Sequence, residues 1–446
     1  MSDTSDIFNK LSDIAAKARD KGASDVKLST SRQESLSANV RLGDLEGLGH
    51  SLSVTTSIKV YMGKKTGTAT ADSLRPSHLE MALEEALFNA QSSTEDPYEG
   101  LVDSLLLPES YPSPDVFDPS VPSPDQLIAD AQAAEETALA VDRIETSGGA
   151  SAFWGKSSFV ILASNGFSGH SEKSTSGFYV SVVAGNGQNK KTSHAGTQAI
   201  YRQDIDDPQI VGKEAARRTI EQLNEQEVKS GHFPVVFDQR VAGSLMSNFI
   251  AAISGNAISK QQSFIRDMLG KQVLNSSVTL IDDPLLDRSC GSRAFDMDGF
   301  AARPLTIVEN GSLKSWILGS YNARELSAKT GQHFDSTGHN GVKPNLYMLP
   351  GALDPAALIA DIKDGFYVTG LMGGGGDIIT GDYSRGAYGL WIKDGKPSFA
   401  VSKVTLAGHL SDIFRNIVPA NNVNRARAGE SIPTLRVDQG LKLGAG

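Results

Sequence analysis

Two carboxylates stand two residues apart in Phe295-Asp296-Met297-Asp298-Gly299. On a strand this spacing points both side chains the same way, which suits acid–base work or a hard cation; a strand end entering a turn accounts for it equally well. His333 and His339, with Asp335 between them, fall in a Gly-containing stretch and read as polar loop residues or a metal pair. No His-Glu-x-x-His occurs, so zinc-peptidase chemistry of that kind has no ligand pair. Gly166-Phe167-Ser168-Gly169 has its second glycine one residue early for a nucleophile elbow, and it falls between strands rather than between strand and helix. The run Gly373-Gly374-Gly375-Gly376-Asp377 is followed by Ile378, Ile379 and Thr380, without the lysine or the helix that a phosphate loop requires. Its glycines predict a bend, or backbone left open to an extended peptide. Cys290, the single cysteine, has no histidine near it in sequence and reads as a small buried residue.

The elements that must carry these residues divide the 446-residue chain, a length that suits about three domains or two larger ones. One cysteine excludes an intrachain disulfide, a zinc ribbon and an iron–sulfur cluster. The net charge of −10 gives no support for direct contact with nucleic acid. The polar, acidic N-terminus and the short apolar runs predict a soluble cytoplasmic protein without a membrane span.

Seven prolines between 97 and 124 mark an extended connector over residues 94–124. It separates an α+β domain at 1–93 from a second α+β repeat at 125–228. Each half reads as helix, strands, helix. Strands are expected at 26–29, 35–42, 45–55, 57–62 and 65–70, then at 144–153, 157–163, 167–175, 177–184 and 190–200. Ser123 and Pro124 predict the start of the helix over 126–141. Gly49-His50-Ser51 and Gly169-His170-Ser171 match at an offset of 120, which together with the repeated order predicts an internal duplication. Residues 229–446 read as a β-rich domain with a helix over 240–253 and hairpin turns at Asn310-Gly311 and Asp394-Gly395. The fold class is α+β, a duplicated N-terminal α/β unit followed by a β-rich C-terminal domain.

Three motifs resemble the TldD/PmbA family: Ser164-Asn165-Gly166-Phe167-Ser168-Gly169; Asn310-Gly311-Ser312-Leu313-Lys314-Ser315-Trp316 through Tyr321-Asn322-Ala323-Arg324; and Thr369-Gly370-Leu371-Met372-Gly373 with Ile379 to Gly386. Thr380-Gly381-Asp382-Tyr383-Ser384-Arg385-Gly386 and Asp412-Ile413-Phe414-Arg415-Asn416-Ile417-Val418 are similar to its PmbA (TldE) branch. The resemblance implies a cytoplasmic metalloprotease of two subunit types that acts on peptides or unfolded proteins, as in maturation of a microcin precursor and degradation of an antitoxin. In that family the TldD-type chain holds zinc through a helical His-Glu-x-x-x-His and a cysteine near the C-terminus. Ser247, Asn248 and Ala252 stand at the helical positions here, and Ala428 stands at the cysteine position. None offers a zinc ligand or a titratable base, so no metal is expected in this chain and zinc is expected in a TldD-type partner. The expected assembly is a hetero-oligomer with that partner, or a homodimer for the chain alone. Gly373, Gly374, Gly375, Gly376, Thr380, Gly381, Asp382 and Tyr383 are expected to form a peptide-approach surface. Two alternatives remain: peptidase activity of this chain alone through Asp296, Asp298, His333 or His339, and a DNA gyrase-linked regulator acting through protein contacts.

Overall fold

The computed structural model describes residues 4–423 and 430–445. The first half runs α1 (Thr4–Asp20), β1 (Asp25–Arg41), β2 (Asp44–Met62), β3 (Lys65–Ala71) and α2 (Pro76–Ser92). The second repeats that order as α3 (Pro124–Leu139), β4 (Ile144–Ala163), β5 (Ser168–Ala184), β6 (Lys191–Ala199) and α4 (Pro208–Ile220). Ser123 caps α3 in a reciprocal capping box with Gln126, and Pro124 occupies the first turn, as the sequence signals required.

The expected duplication is present, with fewer and longer strands than expected. Each half has three strands rather than five, because the polar stretches around Ser31 and Thr56 contain no turn residues. Alternation carries them through as continuous strand, with Val26, Leu28 and Thr30 buried while Ser29 and Ser31 face the other way. The halves share a single antiparallel sheet of order β3-β2-β1-β4-β5-β6, joined where β1 pairs with β4 from Lys27↔Ala163 to Val40↔Ala150. Helices α1 and α2 bury their apolar stripes on one half of one face. α3 and α4 bury theirs on the other half.

Residues from 229 onward form two further sheets with short helices between the strands. Their first part is β7 (Val235–Phe237), α5 (Gln239–Ala252), α6 (Gly255–Ser259), β8 (Leu280–Asp282), β9 (Leu305–Glu309), β10 (Ser312–Leu313), α7 (Ser320–Thr330) and β11 (Leu346–Met348). Then come α8 (Pro355–Ile359), β12 (Asp364–Met372), β13 (Asp382–Lys393), β14 (Lys396–His409), α9 (Leu410–Arg415), β15 (Ile417–Pro419), β16 (Glu430–Ser431), β17 (Leu435–Val437) and β18 (Leu441–Ala445). The sheet orders are β10-β9-β8-β11-β16 and β15-β17-β7-β12-β13-β14-β18. Both hairpin turns named above have positive φ at each central residue (Asn310 47°, Gly311 79°; Asp394 48°, Gly395 76°), the backbone that Asn-Gly and Asp-Gly favour. One core unites the two sheets, with Leu245, Met246 and Phe249 of α5 packed among Phe237, Leu280, Val308, Phe366 and Leu406.

The connector straps the two regions together. Tyr321 donates to Asp96 at 2.7 Å, Arg324 donates to the Tyr98 and Gly100 carbonyls at 2.8 and 2.9 Å, and Tyr111 donates to the Gly299 carbonyl at 2.9 Å. No helix among the described residues is long and apolar enough to cross a membrane.

Candidate functional site

Asp238 opens α5 as its N-cap, accepting the Arg240 backbone N–H at 3.0 Å. Leu245, Met246, Phe249 and Ala252 face the core, leaving Ser247 exposed and Asn248 half-buried. Residues five apart on a regular helix differ by about 140° in direction, so Ser247 and Ala252 face different ways. The Ser247 hydroxyl donates to the Gly243 carbonyl at 3.0 Å. The Asn248 amide nitrogen donates to the Ser244 carbonyl at 2.9 Å, and its Oδ1 accepts the Gly376 N–H at 3.1 Å. Ala252 is fully buried. Ala428 lies outside the described residues.

Through Asn248 the helix holds the glycine run that follows β12. The four glycines differ in what the fold asks of them. A Cβ on Gly375 would lie 3.2 Å from Asn248 Oδ1, and one on Gly376 would lie 2.6 Å from Leu410 Cδ1. Gly373 has φ +75°, a left-handed backbone, with open space around it. Gly374 meets neither demand, since nothing lies within 4 Å of where its Cβ would be. The loop then turns on Asp377, whose carboxylate accepts the Ile379 N–H at 2.7 Å, while Thr380 donates to Asp382 at 2.8 Å. Gly381 has φ +87° and packs under the His409 ring. Tyr383 is 2% exposed and belongs to the core, so it does not present its ring on this surface. Met372 and Ile379 do, at 49% and 56% exposed. The sequence does not single out either as exposed, because an apolar residue at a strand end or in a β-type run ordinarily turns inward.

On the other side of Ser247 a cleft of about 440 Å³ opens between α5, the start of α7 and residues 339–344. Ile250, Ala251, Ile317 and Leu346 give it apolar walls; Asn256, Asn322 and Asn340 add uncharged amides, and Lys343 adds one cation.

The other sequence candidates are engaged elsewhere. His339 is buried with Nε2 2.8 Å from Asp282 and Nδ1 3.0 Å from the Thr337 hydroxyl. Arg293 donates to the same Asp282 at 2.6 Å, and the Asn345 N–H reaches it at 2.5 Å. Burial opposes the charge on Asp282, but the bonds from His339 and Arg293 outweigh it and hold the carboxyl below its usual range. His333 is exposed and pairs with Asp335 at 3.0 Å, apart from that network.

Asp296 and Asp298 lie in a turn rather than on a strand. Asp296 accepts the backbone N–H groups of Asp298, Phe300 and Asn340 at 2.9–3.0 Å. Burial, reinforced by Asp298, nevertheless pushes its pKa up. Asp298 goes the other way. Burial opposes its ionisation, yet Lys27 at 3.3 Å and bonds from the Ser320 hydroxyl and the Asn340 amide, both at 2.6 Å, lower it. Lys27 belongs to β1, so this pair joins the N-terminal sheet to the C-terminal region. Among the described residues no three His, Cys, Asp or Glu side chains converge as a metal site.

Residues 27–90 match the PmbA/TldA metallopeptidase domain 1, residues 117–223 the central domain and residues 230–441 the C-terminal domain. The chain belongs to the TldD/PmbA family. Within it, the metalloprotease PmbA of Escherichia coli O157:H7 is 32% identical over 409 residues, 90% of this chain and 88% of that one. The PmbA homolog of Haemophilus influenzae is 32% identical over 412 residues, 91% of this chain and 89% of its own. Two solved structures share the family fold. A proposed DNA gyrase modulator from Bacteroides thetaiotaomicron superposes with TM-score 0.92 at 24% identity, over 100% of both chains. TldE from Thermococcus kodakarensis gives 0.83 at 19%, covering 98% of this chain and 100% of its own.

Proposed function

We propose that this chain is the PmbA/TldE-type subunit of a two-subunit TldD/TldE-type protease, which engages extended polypeptide while a TldD-type partner supplies the zinc. The observation that carries this reading is the state of the three family positions on α5. Ser247 returns its hydroxyl to its own helix, Asn248 spends its amide on the glycine run, and Ala252 is sealed in the core. A zinc site needs lone-pair ligands turned toward one point, and these residues do not fit the ion. What α5 does in their place is fasten a glycine loop whose open member, Gly374, lies between exposed Met372 and Ile379. Exposed backbone flanked by apolar side chains suits β-type recognition of an unfolded chain.

The deciding experiment measures zinc content and peptidase activity of the chain alone, then after mixing with a TldD-type chain. The expected result is no stoichiometric zinc and no peptidase activity alone, with activity appearing in the mixture. Stoichiometric zinc or efficient proteolysis by the lone chain overturns the reading. Gly374→Val should lower proteolysis by the mixture while leaving the melting temperature unchanged.

A further inference from the structure

Near the middle of the N-terminal sheet, the face opposite the helices carries a hydroxyl and amide surface with Lys173 set in it. Pairing aligns Ser53, Gln33, Ser157 and Lys173 in one row across β2, β1, β4 and β5. The next row is Ser51, Ser35, Gly155 and Thr175, in which the Thr175 methyl group packs 3.3 Å from where a Cβ on Gly155 would lie. A cleft of about 370 Å³ lies over these rows, closed on one side by Gln198 and Cys290. Glu34 and Lys156 border it, but alternation turns their side chains to the helix face, where Glu34 meets His50 at 3.2 Å and Lys156 meets Glu172 at 2.8 Å.

Lys173 is partly buried, and its ammonium donates to the Cys290 carbonyl at 3.0 Å. Burial pushes its ammonium below the usual lysine range; the Cys290 thiol opposes that shift and the Arg293 guanidinium adds to it, and among the described residues no carboxylate pairs with it. A desolvated charge without a counter-charge costs stability, which an anion arriving in the cleft would recover. Beside it, the buried Thr175 hydroxyl has no hydrogen-bond partner among the described residues. One cation surrounded by neutral donors matches a monoanion better than a doubly charged phosphate.

We propose that the Lys173 cleft is a carboxylate-binding subsite for polypeptide, with the ammonium of Lys173 pairing the anion and Gln33, Ser35, Ser157 and Gln198 supplying neutral hydrogen bonds. That the carboxylate arrives on a peptide rests on the function proposed above; binding of a carboxylate as such does not.

The test is calorimetric titration of the full chain alone at low salt with three N-acetylated neutral-residue peptides. One ends in a free carboxylate, one in an amide, and one in an amide with a single internal glutamate. The expected result is at least about tenfold tighter binding of a carboxylate-bearing peptide than of the neutral amide, and the preferred one identifies a C-terminal or side-chain source. Lys173→Met should abolish that preference and Lys173→Arg should keep it. Ser157→Glu sets a carboxylate beside Lys173 in register and should abolish it too, so the result does not depend on one variant folding. Equal binding of acid and amide by the native chain, or a preference surviving in Lys173→Met and Ser157→Glu, overturns the proposal. Because zinc and the partner take no part, failure here leaves the zinc experiment standing, and the reverse also holds.

Discussion

The two N-terminal halves repeat one design, yet their long hairpins end differently. At the end of the β1–β2 hairpin, Leu42, Leu45, Leu48 and Leu52 are 48–57% exposed. At the end of the β4–β5 hairpin, Phe159, Ile161 and Phe167 are covered by Tyr111 and Leu107 of the connector and by Phe295 and Met297 of the C-terminal region. Phe295 sits edge-on to both Phe167 and Tyr111, at centroid distances of 5.5 and 5.6 Å. Lys27 and Asp298 close the same junction with an ion pair. Duplication thus copies the scaffold, while the segments that follow decide which copy becomes a docking surface.

Five substitutions break or sharpen that contrast. Phe167→Ala should destabilise the chain by about 3–5 kcal/mol in urea denaturation, because it empties the aromatic cluster between two regions. Lys27→Met should cost about 1.5–3 kcal/mol at pH 7, since Asp298 keeps its bonds from Ser320 and Asn340 but loses its cation. This second effect is pH-dependent. Asp298 is depressed in the folded state, so its contribution is present above the unfolded value near 3.9 and is lost as pH falls through the folded value. The gap between Lys27→Met and the native chain should therefore narrow at about pH 3; a gap that widens would assign the pair a different role. Gly169→Ala should cost about 1–3 kcal/mol, because its Cβ would lie 2.6 Å from the Phe295 ring. Gly49→Ala, in the matching motif, should cost less, because the Ser37 hydroxyl at 2.7 Å can swing away. The smallest effect belongs to Leu45→Ser on the bare hairpin, within about 0.5 kcal/mol. A large loss there would mean that the leucines are covered after all.

Local chemistry made much of this fold legible in advance. Ser123-Pro124 announces α3, Asn310-Gly311 and Asp394-Gly395 announce their hairpins, and the offset of 120 announces the repeat, with α1 starting at Thr4 and α3 at Pro124. The long strands were harder to see, because a sheet with one polar face lets Ser, Thr and Gln continue a strand that sequence alone would break. The site was legible only in part. That Asn248 replaces a base can be read from the family motif, but its use on Gly376, 128 residues away, depends on tertiary contact. The same holds for His339, whose partner Asp282 is 57 residues distant. Lys173 gave no signal, because a lysine in a polar strand looks like any solvated one until its neighbours across the sheet are known.

The joining of the halves through β1 and β4 has a consequence for synthesis. The edge of β1 that pairs with β4 finds its first partner only when the chain has grown by a further 110 residues, from Val40 to Ala150. At about 5–20 residues per second, that is a wait of roughly 6–22 s. Throughout it the nascent first half exposes a row of unpaired backbone groups, which invites pairing with a neighbouring chain on the same polysome. Closer spacing of ribosomes on the message should therefore raise the share of product lost to aggregation.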